Sequence, residues 1–217
     1  MFFVILESHM FPNLQKYGWN EFFKDAFEKI HSQKPDLVPG RVISVHRTSY
    51  DVMTNEGEIT AEITGNRLKD KDVYSKPVVG DWVAISRGKG DEANVITDIL
   101  TRASILERRR VHSDVEVQIM ASNVDTAVIV QSLAQDFSLA RIQRVLVQLQ
   151  ESKIKPLVIL NKLDIAENIE EVHREVKKLD TSVPVIYSSY ETGEGLPEIA
   201  TALTPGKTVI FIGSSGV

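Results

Sequence analysis

The sequence contains no cysteine. That excludes a disulfide-stapled scaffold, a Cys-ligated zinc site and a Cys nucleophile within these residues. The five histidines, His9, His31, His46, His112 and His173, show no metal-ligand spacing. They read as surface or packing residues, and no metal site is expected in this chain. An excess of positive charge is missing too. Lys and Arg number 25 against 30 Asp and Glu, a formal net charge of −5. A strongly basic nucleic-acid binder has a different balance. The segment 38–105, with nine basic and ten acidic side chains, is not basic either. Any RNA contact must come from a local patch such as Arg108-Arg109-Arg110. That triplet reads equally well as a solvated linker.

Long apolar runs are also lacking. The opening Met1-Phe2-Phe3-Val4-Ile5-Leu6 is far too short to span a bilayer. It has no basic leader and no small-residue cleavage site, so it makes a poor signal peptide. No membrane association is expected, and the cytoplasm is the default location. The fold is read from residue 11 onward. No internal repeat or low-complexity segment interrupts the chain.

What is present fits one large or two modest globular domains. The chain has 217 residues, 42% of them hydrophobic and 25% charged, which leaves ample material for a core. Trp19, Phe22, Phe23, Phe27 and Ile30 recur at helical spacing. They predict an amphipathic helix over 19–31, with Asn20 able to cap its start. From 41 to about 105 short strands take over, at 41–47, 50–53, 58–64, 82–86 and 94–100, with Asn55-Glu56-Gly57, Gly65, Gly80-Asp81, Gly88 and Gly90 as punctuation. Five short strands at this spacing suggest a small antiparallel barrel, with an OB-fold as the five-stranded candidate. Any other small β-domain remains open on pattern alone.

Beyond about 120, strands and helices alternate. Strands are expected at 125–130, 156–160, 183–187 and 207–212. Ser138 can cap a helix carrying Leu139, Ile142, Leu146 and Leu149 on one face, and Ile169, Val172, Val176 and Leu179 mark a second. Pro197 suits the first turn of a third. This βαβαβαβ order implies a parallel, doubly wound sheet. The predicted class is therefore all-β followed by α/β. An N-terminal extension covers 1–37, a barrel 38–105 and the α/β part 106–217.

Three loops then fall at one edge. The second α/β strand runs into Asn161-Lys162-Leu163-Asp164 and the third into Ser188-Ser189-Tyr190-Glu191-Thr192-Gly193-Glu194-Gly195. The fourth runs into Gly213-Ser214-Ser215-Gly216-Val217. In a parallel sheet these all lie at the carboxyl ends of the strands, where open α/β sheets bind ligands. Guanine offers two donors on one edge, N1–H and the N2 amine. An ionised carboxylate such as Asp164 can accept both. Adenine would leave it unpaired, and an unpaired polar group in a binding site can discriminate by about 10⁴-fold. Asn161 can bond the base or tie the loops together, and the Lys162 stem can cover the base face. A chance tetrapeptide of this pattern occurs in roughly a few of every hundred such chains. The loop starting at Ser188 can aim a backbone N–H, that of Ser189, at the guanine O6. Gly213–Val217 opens a Gly-x-x-x-x-Gly-Lys-[Ser/Thr] loop, whose backbone N–H groups close around phosphates at a helix start. Alone, that fragment reads as readily as an ordinary glycine turn.

The order is informative: the guanine motif precedes the phosphate loop, behind a small barrel. With Gly40-Arg41-Val42-Ile43-Ser44-Val45, Lys76-Pro77-Val78-Val79-Gly80-Asp81, Ile99-Leu100-Thr101-Arg102, Ala121-Ser122-Asn123-Val124-Asp125 and Thr192-Gly193-Glu194-Gly195, it resembles the circularly permuted ribosome-assembly GTPases of the RsgA (YjeQ, EngC) family. The resemblance covers nearly the whole chain from about Leu14. It implies an N-terminal OB-fold, a permuted GTPase domain and a C-terminal zinc-binding domain. It implies GTP hydrolysis with Mg²⁺ during late maturation of the small ribosomal subunit, with ribosomal RNA contacts, by a cytoplasmic monomer. Carried over by position, Asn161, Lys162, Leu163 and Asp164 would read guanine, Ser188 and Ser189 would support the base, and Gly213, Ser214, Ser215, Gly216 and Val217 would begin the phosphate cradle. The resemblance also places the phosphate-loop Lys, the Mg²⁺-binding Ser/Thr, both switch segments, the water-activating residue and the zinc ligands after Val217. On that reading residues 1–217 alone are inactive. The competing reading is a nucleic-acid-binding OB module without hydrolysis.

Overall fold

A computed structural model of the chain describes residues 11–64, 72–109, 117–134, 137–214 and 216–217. The chain divides into two compact units, Met1–Asn123 and Val124–Val217. The barrel and what packs on it make up the first, and the α/β sheet the second.

The first unit opens with α1 (Pro12–Gln15) and α2 (Glu21–His31). The Asn20 side chain accepts from the Phe22 and Phe23 N–H groups, so α2 starts just inside the predicted span. Phe23 and Phe27 are buried and Phe22 is left exposed. Phe23 and Phe27 pack with Leu14, Leu37, Trp82, Ala84 and Leu100 in one apolar cluster. Burying each such side chain contributes about 1.5–3 kcal/mol. The Trp19 ring meets Trp82 edge-on at 4.8 Å, and the Arg41 guanidinium stands 5.2 Å from the Trp82 ring centre.

The barrel strands are β1 (Leu37–Val45), β2 (Ser49–Thr54), β3 (Gly57–Ile63), β4 (Trp82–Ser86) and β5 (Asn94–Ile99). They close in the order β1-β2-β3-β5-β4, with β3 and β5 parallel and the other pairs antiparallel. The nine-residue β1 bends at a bulge between Val42 and Ser44. The extra twist lets one strand pair with β4 along its first half and β2 along its second. Alternation sets the faces: Tyr50 and Val52 of β2 point inward beside Val42, Ala61, Ile63, Val83, Ile85 and Ile96.

A hairpin follows, β6 (Ile105–Arg109) and β7 (Val117–Ser122), paired antiparallel. The pattern reading has no strand here and leaves 108–110 open as a linker. The structure corrects this for Arg108 and Arg109, whose backbone lies in β6, while Arg110 falls outside the described residues. The charges at 107–110 break any apolar alternation, so backbone pairing carries the strand. Arg108 is exposed.

A buried ionic knot joins barrel and hairpin. The Asp81 carboxylate is fully buried. It accepts two bonds from the Arg102 guanidinium at 2.7 and 2.6 Å, one from the Ser122 hydroxyl at 2.5 Å and one from the Val78 N–H at 2.9 Å. Arg102 spends further N–H groups on the Tyr74 and Lys76 carbonyls. Asn123 donates to the Gly80 carbonyl and accepts from the Ala103 N–H. Gly80 sits at φ +95°, and a Cβ there would stand 2.1 Å from the Ser122 carbonyl oxygen, so only glycine fits. Three of the segments that carry the family resemblance thus converge on one structural junction.

The second unit contains β8 (Thr126–Ser132), α3 (Leu139–Glu151), β9 (Lys155–Asn161), α4 (Ile169–Val176), β10 (Val185–Tyr187), α5 (Leu196–Ala202) and β11 (Val209–Gly213). Ser138 caps α3 as expected, accepting from the Arg141 N–H. The four strands are parallel in the order β10-β9-β8-β11. Val128, Leu157 and Ile159 form its core with Ile186, Ile199, Leu203 and Val209 packed against them. The order steps outward from β8 to β10 and then returns past β8 to β11. That reversal opens the crevice at the carboxyl ends of β8 and β11. At the opposite end, Asp125 accepts from the Thr208 N–H at 2.8 Å and the Lys207 ammonium at 3.0 Å, fixing β11 beside β8.

Candidate nucleotide site

β9 ends at Asn161, and the chain turns sharply there. Lys162 has a left-handed backbone, φ 67°, uncommon for a non-glycine residue. A single 3₁₀ turn, Leu163–Ile165, follows and carries Asp164. The neighbouring β10 ends one residue before Ser188, and Ser188 and Ser189 are both buried.

The two loops are laced together. Ser188 donates its N–H to the Leu160 carbonyl at 2.9 Å and accepts the Leu163 N–H at 3.0 Å. Its hydroxyl donates to the Asn161 side-chain oxygen at 3.3 Å. The Ser189 hydroxyl donates to Asp164 Oδ1 at 2.5 Å. A carboxylate on a short turn is thereby held in one orientation. The Asn161 side-chain oxygen is likewise fixed, which leaves its NH₂ pointed away from Ser188.

The Ser189 backbone N–H differs from the expectation that it faces a guanine O6. It donates to the Glu194 carbonyl at 3.0 Å. The physical reason is local. The loop closes on itself, with the Gly193 N–H on the Ser189 carbonyl at 2.9 Å and the Thr192 N–H on the Ser189 hydroxyl at 3.2 Å. Gly195 makes that closure possible: its φ is +76°, and a Cβ would lie 2.1 Å from the Tyr187 carbonyl oxygen.

The third loop follows β11 and reaches the first. The Lys162 ammonium donates to the Gly216 carbonyl at 2.5 Å. Gly216 is left-handed at φ +78°. A Cβ on Gly213 would meet Val217 Cγ2 at 2.9 Å, so the chain curls back over the strand end. Ser214 is described and Ser215 lies outside the described residues. A cavity of about 490 Å³ opens among these loops, within the range of small-molecule sites. Asn161, Lys162, Asp164, Ile165, Tyr190, Glu191 and Val217 line it. Ile165 lies outside the motifs, and Tyr190 and Glu191 fall within the Ser188–Gly195 loop without a role of their own in the sequence reading. Only their place in or beside the strand-end loops could have pointed to them. Among the described residues no group of three or more His, Asp or Glu side chains is placed to hold a metal ion. Asp164 offers acceptors, Asn161 an amide and Lys162 an apolar stem, the groups a purine base can use, and among the described residues none of the side chains forms such a group for Mg²⁺ or zinc.

The family model described as RsgA GTPase matches residues 99–217. The chain belongs to the RsgA GTPase family. Small ribosomal subunit biogenesis GTPase RsgA 1 of Bacteroides thetaiotaomicron is 35% identical over 206 residues, covering 94% of this chain and 57% of that protein. RsgA 2 of Lactiplantibacillus plantarum is 37% identical over the same shares. The chain therefore spans a little over half the length of these RsgA relatives. Among solved structures, YjeQ from Thermotoga maritima superposes with a TM-score of 0.66 at 24% identity, covering 83% of this chain and 61% of that one. YloQ, described as a circularly permuted GTPase, gives 0.60, also at 24% identity. The RsgA fold is thus that of this chain: a five-stranded barrel followed by the permuted parallel sheet.

Proposed function

We propose that the protein carrying this chain binds and hydrolyses GTP in late maturation of the small ribosomal subunit, where it contacts ribosomal RNA. The observation that carries the reading is the lacing of Asp164 by Ser189 beside Asn161 and Lys162. Asp164 accepts the guanine N1–H and N2 amine, and the Asn161 amide donates to the base. The Lys162 stem covers one face while its ammonium ties the base loop to Gly216. Leu163 fixes the turn through its N–H, Ser188 and Ser189 hold the readers, and Gly213 to Val217 begin the cradle for the phosphates.

Phosphoryl transfer depends on positioning and charge neutralisation, and bound Mg²⁺ supplies part of that charge. Base readers alone hold a nucleotide weakly, because the phosphates contribute much of the affinity. The names of the relatives support the ribosomal role. The residues proposed to read the base all come from one chain, in keeping with a monomer. Among the described residues no helix is long and apolar enough to cross a membrane, and the cytoplasm, where ribosomal subunits mature, is the proposed location.

The test is steady-state GTP turnover by the full-length protein, with and without small ribosomal subunits, beside residues 1–217 alone. The full-length protein is expected to turn over GTP, and faster with subunits. Asp164→Ala abolishes turnover at subsaturating GTP, and residues 1–217 show none above background. Turnover by 1–217 that Asp164→Ala removes would mean that the catalytic groups lie within these residues. A second reading, an RNA-binding barrel unit without hydrolysis, draws on the exposed Arg108 of β6. It predicts RNA binding with no turnover in any form.

A further inference from the structure

Tyr190 is an aromatic side chain with 79% of its surface in water. Ile165, another apolar side chain, is 57% exposed. Single exposed apolar residues are ordinary on protein surfaces. These two line the same cavity as Asp164. Each sits one residue beyond a polar reader or its support: Ile165 follows Asp164, and Tyr190 follows Ser189.

Their backbones are not loose. The Ile165 N–H donates to the Lys162 carbonyl at 3.3 Å. On the other side, Ser189 is held through its N–H, its carbonyl and its hydroxyl. The phenol ring therefore projects from a rigid turn, and only its side-chain torsions remain free. A ring on two torsions loses little conformational freedom when a ligand covers it.

A purine has a hydrogen-bonding edge and two apolar faces. Asp164 serves the edge and the Lys162 stem can serve one face. The other face would stay in water unless a flat apolar group closed it. We infer that Tyr190 is the stacking platform of the base site, with Ile165 as an apolar flank, so that it contributes affinity for the purine without reading its identity. The inference rests on the guanine assignment made above. Stacking is tolerant of base identity because every base has a π-face. Discrimination then stays with Asp164 and affinity is shared with Tyr190.

The experiment measures the affinity of the full-length protein for GDP and xanthosine diphosphate by titration calorimetry. Tyr190→Ala, Tyr190→Phe and Asp164→Asn are compared with the parent. Tyr190→Ala is expected to weaken GDP on the order of tenfold, with the GDP-to-xanthosine-diphosphate ratio unchanged. Tyr190→Phe should bind within about twofold of the parent, since the ring and not the hydroxyl acts. The side chain is mostly in water, and circular dichroism and melting of the variant should match the parent. GDP binding by Tyr190→Ala within twofold of the parent, with Asp164→Asn still inverting the base preference, overturns the platform alone. A preference unmoved by Asp164→Asn overturns the guanine site itself, and the platform with it.

Discussion

The Ser189 hydroxyl donates to Asp164 Oδ1 at 2.5 Å, joining two loops that lie 25 residues apart in sequence. β9 and β10 are neighbours in a parallel sheet, so their carboxyl ends deliver both loops to one edge. The bond orients the carboxylate before a ligand arrives. It also leaves the other carboxylate oxygen, Oδ2, out of the contact. A donor paired to a charged acceptor is stronger than a neutral pair.

Ser189→Ala is therefore expected to weaken guanine nucleotide binding by roughly five- to tenfold, in line with about 1–1.5 kcal/mol for one hydrogen bond. Base preference should be retained, because Asp164 remains the reader. Parallel titrations with GDP and xanthosine diphosphate check both statements. A loss confined to discrimination would contradict the orienting role.

Arg102→Ala should destabilise the barrel unit by about 3–5 kcal/mol, because it leaves the buried Asp81 carboxylate without its cation. Arg102→Lys should rescue little, since a point ammonium cannot replace two guanidinium bonds to Asp81 and the bonds to the Tyr74 and Lys76 carbonyls. Denaturant unfolding followed by Trp fluorescence reads this, as Trp19 and Trp82 both lie in that unit. A change under about 1 kcal/mol, the scale of an exposed ion pair, would show that the knot is not holding the junction.

Charge reversal at Arg108 and Arg109 should weaken association with small-subunit RNA. The slope of log affinity against log salt should become shallower by about one for each phosphate that is no longer neutralised. Arg108 is exposed on a strand of a hairpin, which presents it in a fixed direction. Unchanged binding at low salt would reduce these arginines to solvated surface charge.

Much of the fold is legible in the sequence because local signals and global layout agree. Asn20 and Ser138 cap the helices that their positions predict, and the strand expected at 50–53 falls within β2, whose Tyr50 and Val52 enter the barrel core. The β6–β7 hairpin is not legible, because the charges at 107–110 obscure its apolar residues Leu106 and Ile119. In the site, the proposal of Asp164 as reader starts from the chemistry of guanine, and the structure places its side chain in the wall of the cavity. The fate of the Ser189 N–H does not follow from that chemistry, since it depends on a loop whose closure is set by the backbone of Gly193 and Gly195. Tyr190 falls within the predicted Ser188–Gly195 loop, but an exposed aromatic in a loop has no periodicity to mark out a role for it.

Asp164 is proposed to read guanine through its two acceptor oxygens. The most direct measurement is the affinity of full-length wild type and Asp164→Asn for GTP and xanthosine triphosphate under one buffer condition. Xanthine presents a carbonyl where guanine has its amine, and an Asn amide can donate to it. The wild type is expected to prefer GTP, and the variant to lose GTP affinity by roughly two or more orders of magnitude, on the scale seen when a polar site meets a mismatched ligand, while gaining affinity for xanthosine triphosphate. Equal GTP affinity in both proteins, with no gain for the xanthine nucleotide, would contradict the assignment of Asp164 as the base reader.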